Sequence, residues 1–219
     1  MDAKSTMLPS LKISAWSEES LSNLTRKIIK ITPKPLILVD GVAGSGKTTI
    51  AKHIADKLNA NIVHTDDLCW GNHLVHWDEE LLAGIINPWL NGNNVVYRPT
   101  SWIKEKRSGS IEVDSNKALL IEGMGACRKT LRSIASYSIW IDTEPGIARE
   151  RGLQRDLANG ENGGTIESVT AFADWWDSML TPLYLKEKPW EYVDLIISGS
   201  QSNININNLK IVSAKAVIK

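Results

Sequence analysis

The sequence predicts an α/β fold, a five-stranded and mainly parallel sheet flanked by helices. Three observations predict it. Five short apolar runs, "LILVD", "NIVHT", "ALLIEG", "YSIWIDT" and "DLIISG", alternate with mostly helical patterns, as in open sheets whose crossovers are helices. The chain has 219 residues, 42% of them hydrophobic, enough for one substantial core, and it shows no repeat period. The first run passes directly into a glycine-rich turn and then a helical pattern, "ILVDGVAGSGKTTIAKHIADKL" over 37–58.

Taken in order, residues 1–35 should supply a packing helix. Leu21, Leu24, Ile28 and Ile31 fall at helical spacing, with Ser17 as N-cap and Pro33 and Pro35 as the stop. The five strands and their helices follow. The polar, glycine-rich stretch "RDLANGENGGTIESV" interrupts them and reads as a mobile lid over about 155–172. The C-terminal extension, 200–219, begins Asn-rich and ends apolar, offering an edge strand. A single domain over 1–219 is expected.

Composition narrows the partners. Lys plus Arg and Asp plus Glu both total 25, so no overall basic field draws the chain onto nucleic acid. No stretch has signal-peptide or membrane-span character, which predicts a cytoplasmic protein without a membrane partner. Cys69 and Cys127 are the only cysteines, too few for a disulfide framework. Cys69, His73 and His76 lie close together, but without zinc-type spacing they read as incidental.

Gly41, Gly46, Lys47 and Thr48 satisfy G-x-x-x-x-G-K-[ST], the Walker A pattern, between a strand and a helix. Such a P-loop turns backbone N–H groups toward an anion, and the helix N-terminus adds its dipole. The phosphates of a nucleoside triphosphate are therefore expected on Gly41, Ala43, Gly44, Ser45, Gly46, Lys47, Thr48 and Thr49. Lys47 reaches the β- and γ-phosphates, and the Thr48 hydroxyl binds Mg²⁺.

Other residues decide where the phosphate goes. The one Asn-Lys pair, Asn116-Lys117, is followed by Ala118 and Leu119, so the N-K-x-D guanine reader of Ras-type GTPases is missing. A kinase needs a carboxylate at the acceptor hydroxyl, an acid on the Mg²⁺ side and cations over the transferred charge. Asp66 and Asp67 end one strand and Glu122 another, where open α/β sheets bind ligands. Asp66 is the candidate base and a further metal contact, and Glu122 the magnesium-side acid. Arg149, Arg151 and Arg155 follow the fourth strand; Arg151 and Arg155 are four apart and suit a closing lid. Nine Trp stand against one Phe, and an indole face stacks on a flat ring. Asp67, Trp70, Trp77, Arg98 and Trp102 are the candidate acceptor contacts, with Asp78, Trp175 and Trp176 nearby, whereas Trp140 reads as core.

These residues, in this order, resemble the uridine kinase-like branch of the P-loop kinases over roughly residues 36 to 199. "DGVAGSGKTT" fits the family's opening, Asp66 falls at its hydroxyl-activating aspartate, and "LLIEGMGA" resembles its magnesium-side segment. "HWDEELLAGIINPWLNGNNVVYRP" is similar to its helix-then-strand stretch. "IWIDTEPGIARERGLQRD" is similar to its fourth strand and lid helix, and "EYVDLIISG" to its closing strand. The resemblance implies a P-loop NTPase fold and an ATP- and Mg²⁺-dependent transfer to a hydroxyl of a nucleoside or nucleoside-like small molecule. Where uridine kinases have Tyr-Asp-Phe and then His, this chain reads Thr100-Ser101-Trp102 and "IKEKRSG", which leaves the acceptor open. A nucleoside monophosphate or an antibiotic stands as the near alternative, with Arg98, Lys104, Lys106 and Arg107 as the cations a monophosphate would need. A nucleotide-gated binding module is the alternative of another class.

Overall fold

A computed structural model describes residues 8, 10–13, 15–69, 77–201 and 205–214. In chain order it comprises β1 (Ser17–Glu19), α1 (Leu21–Ile31), β2 (Leu36–Asp40), α2 (Lys47–Leu58), β3 (Asn61–His64) and α3 (Asp66–Cys69). Next come α4 (Trp77–Leu81), a π-helical stretch (Leu82–Ile86), α5 (Asn87–Leu90), β4 (Val95–Tyr97), α6 (Thr100–Lys104), β5 (Ile111–Val113), β6 (Leu119–Glu122) and α7 (Lys129–Arg132). The chain closes with β7 (Tyr137–Asp142), α8 (Pro145–Asn159), α9 (Ile166–Glu187), α10 (Pro189–Tyr192), β8 (Leu195–Ser198) and β9 (Leu209–Val212).

Among the described residues the main sheet has seven strands, in the order β1-β9-β8-β7-β2-β6-β3. The five predicted strands form its parallel part, β8-β7-β2-β6-β3. Two antiparallel strands extend it. The C-terminal extension adds β9 as expected, but β1 pairs with it and takes the edge, Ser17 opposite Ile211. Ser17 is therefore a strand residue, and the N-cap of α1 is Ser20, whose side chain accepts the Asn23 N–H.

Strand alternation sorts the core into two layers. Ile37 and Val39, Ile139 and Ile141, and Leu195 and Ile197 face α1 and α2. Leu36 and Leu38, Trp140 and Ile196 face the other side, with α4, α5, α9 and α10. In α1, Leu21, Leu24 and Ile28 are buried, but Ile31 is exposed at the end of the helix. In α2, Ile50, Ala51, Ile54 and Ala55 seat the helix against the sheet and fix its N-terminus at the strand ends.

The stretch expected as a lid loop is largely helical. α8 continues to Asn159 and closes on Gly160 in the left-handed conformation, while Thr165 and Ser168 form a capping box that starts α9. Only residues 160–165 are non-helical, and the lid region becomes a helical hairpin with a short tip. Among the described residues no helix is long and apolar enough to cross a membrane, and both cysteines are free and buried.

Candidate active site

Every chemical residue of the parallel sheet sits at its carboxyl edge because its strand ends there: Asp40 on β2, His64 on β3, Glu122 on β6 and Asp142 on β7. Glu122 pairs in register with Val39 on one side and His64 on the other. That register brings the P-loop helix, the acid and the imidazole together.

Thr48 Oγ1 donates to Glu122 Oε1 at 2.9 Å, and His64 Nδ1 lies 2.6 Å from Glu122 Oε2. Burial opposes ionisation of Glu122, but the His64 contact, the Lys47 charge and the Thr48 hydroxyl together hold its carboxyl below the ordinary value. The same Glu122 contact raises His64. A P-loop hydroxyl beside an ionised carboxylate is the donor set that Mg²⁺ takes in triphosphate sites. The loop itself fits a phosphate chain. Gly44 and Gly46 adopt φ of 72° and 91°, and a Cβ on Gly41 would stand 2.6 Å from Ser45 Oγ. Lys47 is buried, with Nζ folded back onto Val42 O at 3.3 Å.

Asp66 opens α3 directly after β3 and lines a cavity of about 670 Å³ together with Thr48. The residue is exposed to solvent, yet the protein atoms crowded around its carboxyl partly desolvate it and raise it above the ordinary value, while Lys47, His64 and Arg155 act in the opposite sense and Glu122 adds to the rise. A base whose pKa moves toward neutrality is better matched to taking a proton near neutral pH.

The cavity runs beneath the α8–α9 hairpin. Arg149 and Arg155 line it, and both are held by acids. Arg149 pairs with Asp174 at 2.6 Å and Asp177 at 3.2 Å, and Arg155 with Asp156 at 2.7 Å. Arg151, expected beside Arg155 over the phosphates, points instead to the loop after β8, donating to the carbonyls of Gly199 and Gln201 at 2.6 and 2.8 Å. Four residues along a helix set a shared face only loosely, and the two guanidinium groups take different partners, Arg151 the loop after β8 and Arg155 the Asp156 carboxylate.

The candidate acceptor contacts form a neighbouring cluster outside the cavity lining. Arg107 bridges to Asp67 at 2.8 Å and lies over the Trp102 ring at 3.7 Å, and Arg98 donates to Arg107 O. Trp77 is buried beneath Arg128, which binds Asp78 at 2.7 Å. Trp70, His73 and His76 lie outside the described residues. The aromatic side chains that do line the cavity include Trp140, Phe172, Trp176 and Tyr184. Sequence reasoning missed His64 and Asp142; the only signal for them was that each stands at the carboxyl end of a strand next to an acid or the P-loop.

Comparison with known proteins agrees with this architecture. No family model matches the chain. It is 26% identical to the uridine kinase of Ligilactobacillus salivarius over 199 residues, covering 80% of this chain and 91% of that kinase. It is also 26% identical to the uridine kinase of Halalkalibacterium halodurans over 209 residues, covering 85% and 96%. Among solved structures, a candidate fructose transport system kinase from Silicibacter sp. superposes with a TM-score of 0.53 at 19% identity, covering 75% of this chain and 95% of the other. A possible uridine kinase from Bacillus stearothermophilus superposes at 0.51 with 17% identity, covering 80% and 96%. The fold is that of the P-loop kinases.

Proposed function

We propose that this uridine kinase-like P-loop enzyme is a cytoplasmic phosphotransferase that moves the γ-phosphoryl group of ATP, with Mg²⁺, to a hydroxyl of an unphosphorylated, nucleoside-like small molecule. The observation that carries the reading is the contact of Thr48 with Glu122, on the same cavity as Asp66. Thr48 and Glu122 would hold Mg²⁺, which when bound offsets the charge on the phosphate oxygens. Lys47 and the amides of 41–49 would seat the donor. Asp66 would accept the proton of the acceptor hydroxyl as its oxygen bonds to the γ-phosphorus and the bond to the β–γ bridging oxygen breaks, releasing ADP. Arg155, and Arg149 beside it, would swing from their acid partners to the phosphates as α8 and α9 close and exclude water.

A monophosphate acceptor fits this cavity less well. Both of its arginines are committed to the donor phosphates in this mechanism, which leaves neither for a second phosphate, and Arg98 and Arg107 belong to the Asp67–Trp102 cluster outside it. The test is Mg²⁺·ATP turnover against nucleosides, nucleoside monophosphates and hydroxylated antibiotics, followed by mass gain of one phosphate, beside Lys47→Ala and Asp66→Asn. Transfer should vanish in Lys47→Ala and fall by about 10²–10⁴-fold in Asp66→Asn with ATP binding retained. Full transfer by Asp66→Asn would remove Asp66 from the mechanism. A stable ATP-dependent protein complex with no phosphorylated small molecule would favour a binding module instead.

A further inference from the structure

Asp66 and Thr48 share their cavity with the carboxyl end of β7. Trp140 and Asp142, two residues apart on that strand, fall on one face of the sheet, and both line the cavity. The candidate acceptor contacts Asp67, Arg98 and Trp102 do not. The groups that read the body of the acceptor therefore have to come from the cavity lining itself.

Two of those groups lack a complement. Trp140 is 3% exposed and held edge-on against Tyr184 and Trp190, with ring centroids 5.3 and 5.4 Å away. Its indole N–H has no hydrogen-bond partner among the described residues, and such a buried donor is costly unless something bonds it. Asp142 has no ion pair among the described residues, because Arg149 and Arg155, the cations of the cavity, are held by Asp174, Asp177 and Asp156. Above about 6 its carboxyl is ionised and only accepts. A donor and an acceptor thus stand two residues apart on one wall. Three strand spacings, about 14 Å, separate β7 from β3, which leads into Asp66. A nucleoside lying across the strand ends, with a hydrogen bond at each end, suits that span. Phe172 and Trp176 line the same space and supply rings on which a base can stack.

Building on the kinase reading above, we propose that Trp140 and Asp142 read the base of a nucleoside acceptor, and that this base carries an amino group beside an unprotonated ring nitrogen, as in cytidine or adenosine. The amino group donates to Asp142, the ring nitrogen accepts from the Trp140 indole, and a sugar hydroxyl lies at Asp66. In uridine and inosine both positions are inverted. A carbonyl oxygen would then face the carboxylate and a ring N–H the indole N–H, setting acceptor against acceptor and donor against donor.

The test compares two matched pairs on the full chain, cytidine with uridine and adenosine with inosine. Binding is measured by calorimetry with the donor site filled by Mg²⁺ and a non-hydrolysable ATP analogue, so that it does not depend on transfer. Wild type should favour the amino member of each pair by about tenfold or more, in Kd and in kcat/KM. Asp142→Asn, whose amide can donate to a carbonyl, should bring each pair to within about threefold. Trp140→Phe, which removes the N–H, should weaken the amino members by about tenfold. ATP affinity should stay within about twofold in both variants, which also reports that they fold. No binding of either pair, equal binding within both, preference for uridine and inosine, or discrimination unchanged in Asp142→Asn overturns the proposal. A loss of ATP affinity in Asp142→Asn with nucleoside binding intact assigns that carboxylate to the donor and overturns it as well. Transfer to uridine ahead of cytidine leaves the kinase reading standing, whereas failure of wild type to bind ATP, or full turnover by Lys47→Ala, sinks that reading and this inference with it.

Discussion

The hydroxyl of Tyr184 donates a 2.8 Å hydrogen bond to Asp40 Oδ1, 144 residues away and fully buried. The same carboxylate accepts the N–H of Gly41 at 2.7 Å, of Gly125 at 3.1 Å and of Cys127 at 2.8 Å. Burial pushes this carboxyl up, and the donors from Cys127, Tyr184 and Gly41, with the Lys47 charge, oppose that. One group therefore ties the entrance of the P-loop to the loop after Glu122 and to the cavity-lining face of α9.

Removing one donor from that carboxylate should be costly, because water cannot replace it. Tyr184→Phe is expected to lower stability by about 1–3 kcal/mol, read from urea denaturation. Asp40→Asn should cost more, since an amide NH₂ would then meet groups that are themselves donors. Two variants as stable as wild type would mean that the network is incidental to the fold.

His64 bears on the proposed Mg²⁺ site. It holds the Glu122 oxygen that Thr48 leaves free, and partners of ligating carboxylates fix their orientation. His64→Ala should raise the Mg²⁺ concentration for half-maximal turnover by about tenfold, with ATP affinity at saturating Mg²⁺ little changed. An unchanged Mg²⁺ titration would assign His64 to packing alone.

The P-loop and the five parallel strands were legible because their signals are local. A tight anion-binding turn demands glycines and a Lys-Thr pair in one short stretch, and a strand buried on both faces demands a continuous apolar run. β1 was not legible. Its residues, Ser17, Glu18 and Glu19, carry no apolar pattern, and pairing with β9 nearly two hundred residues later makes them a strand. The site divides in the same way. Asp66 and Glu122 follow from strand ends, but the His64 contact depends on the register of β3 against β6. The tryptophans show the limit most clearly. Trp175 and Trp176 are adjacent, yet one is exposed and the other lines the cavity, because the packing of α9 decides which face turns inward.

Asp142 gives a pH signature. Burial pushes its carboxyl from 3.8 up to about 6. The folded state thus binds this proton more tightly than the unfolded chain. The stability it contributes is fully present below 3.8 and is lost as pH rises through about 6. Asp142→Asn stays neutral throughout. Matched by urea denaturation across that range, the variant should gain on wild type as pH rises and level off above it. A difference independent of pH would mean that Asp142 titrates as an ordinary surface acid.

Two glycines on either side of one contact should respond oppositely to the same methyl group. Gly44 holds φ at 72°, and a Cβ there would stand 1.9 Å from the Ala148 carbonyl oxygen. That oxygen is α8 backbone, so relief requires the hairpin to lift from the P-loop. Gly152, one turn further along α8, has nothing within 4 Å of its would-be Cβ. Gly44→Ala is expected to cost about 1–3 kcal/mol and to weaken ATP binding, through left-handed strain and overpacking. Gly152→Ala should stabilise by about 0.5–1 kcal/mol, since alanine loses less backbone freedom within a helix. Thermal and urea unfolding of the two variants, with ATP titration of each, checks both signs. A Gly44→Ala protein that is stable and binds ATP normally would show that α8 does not rest on the P-loop in solution, and the hairpin would then approach the phosphates only when ligand draws it in.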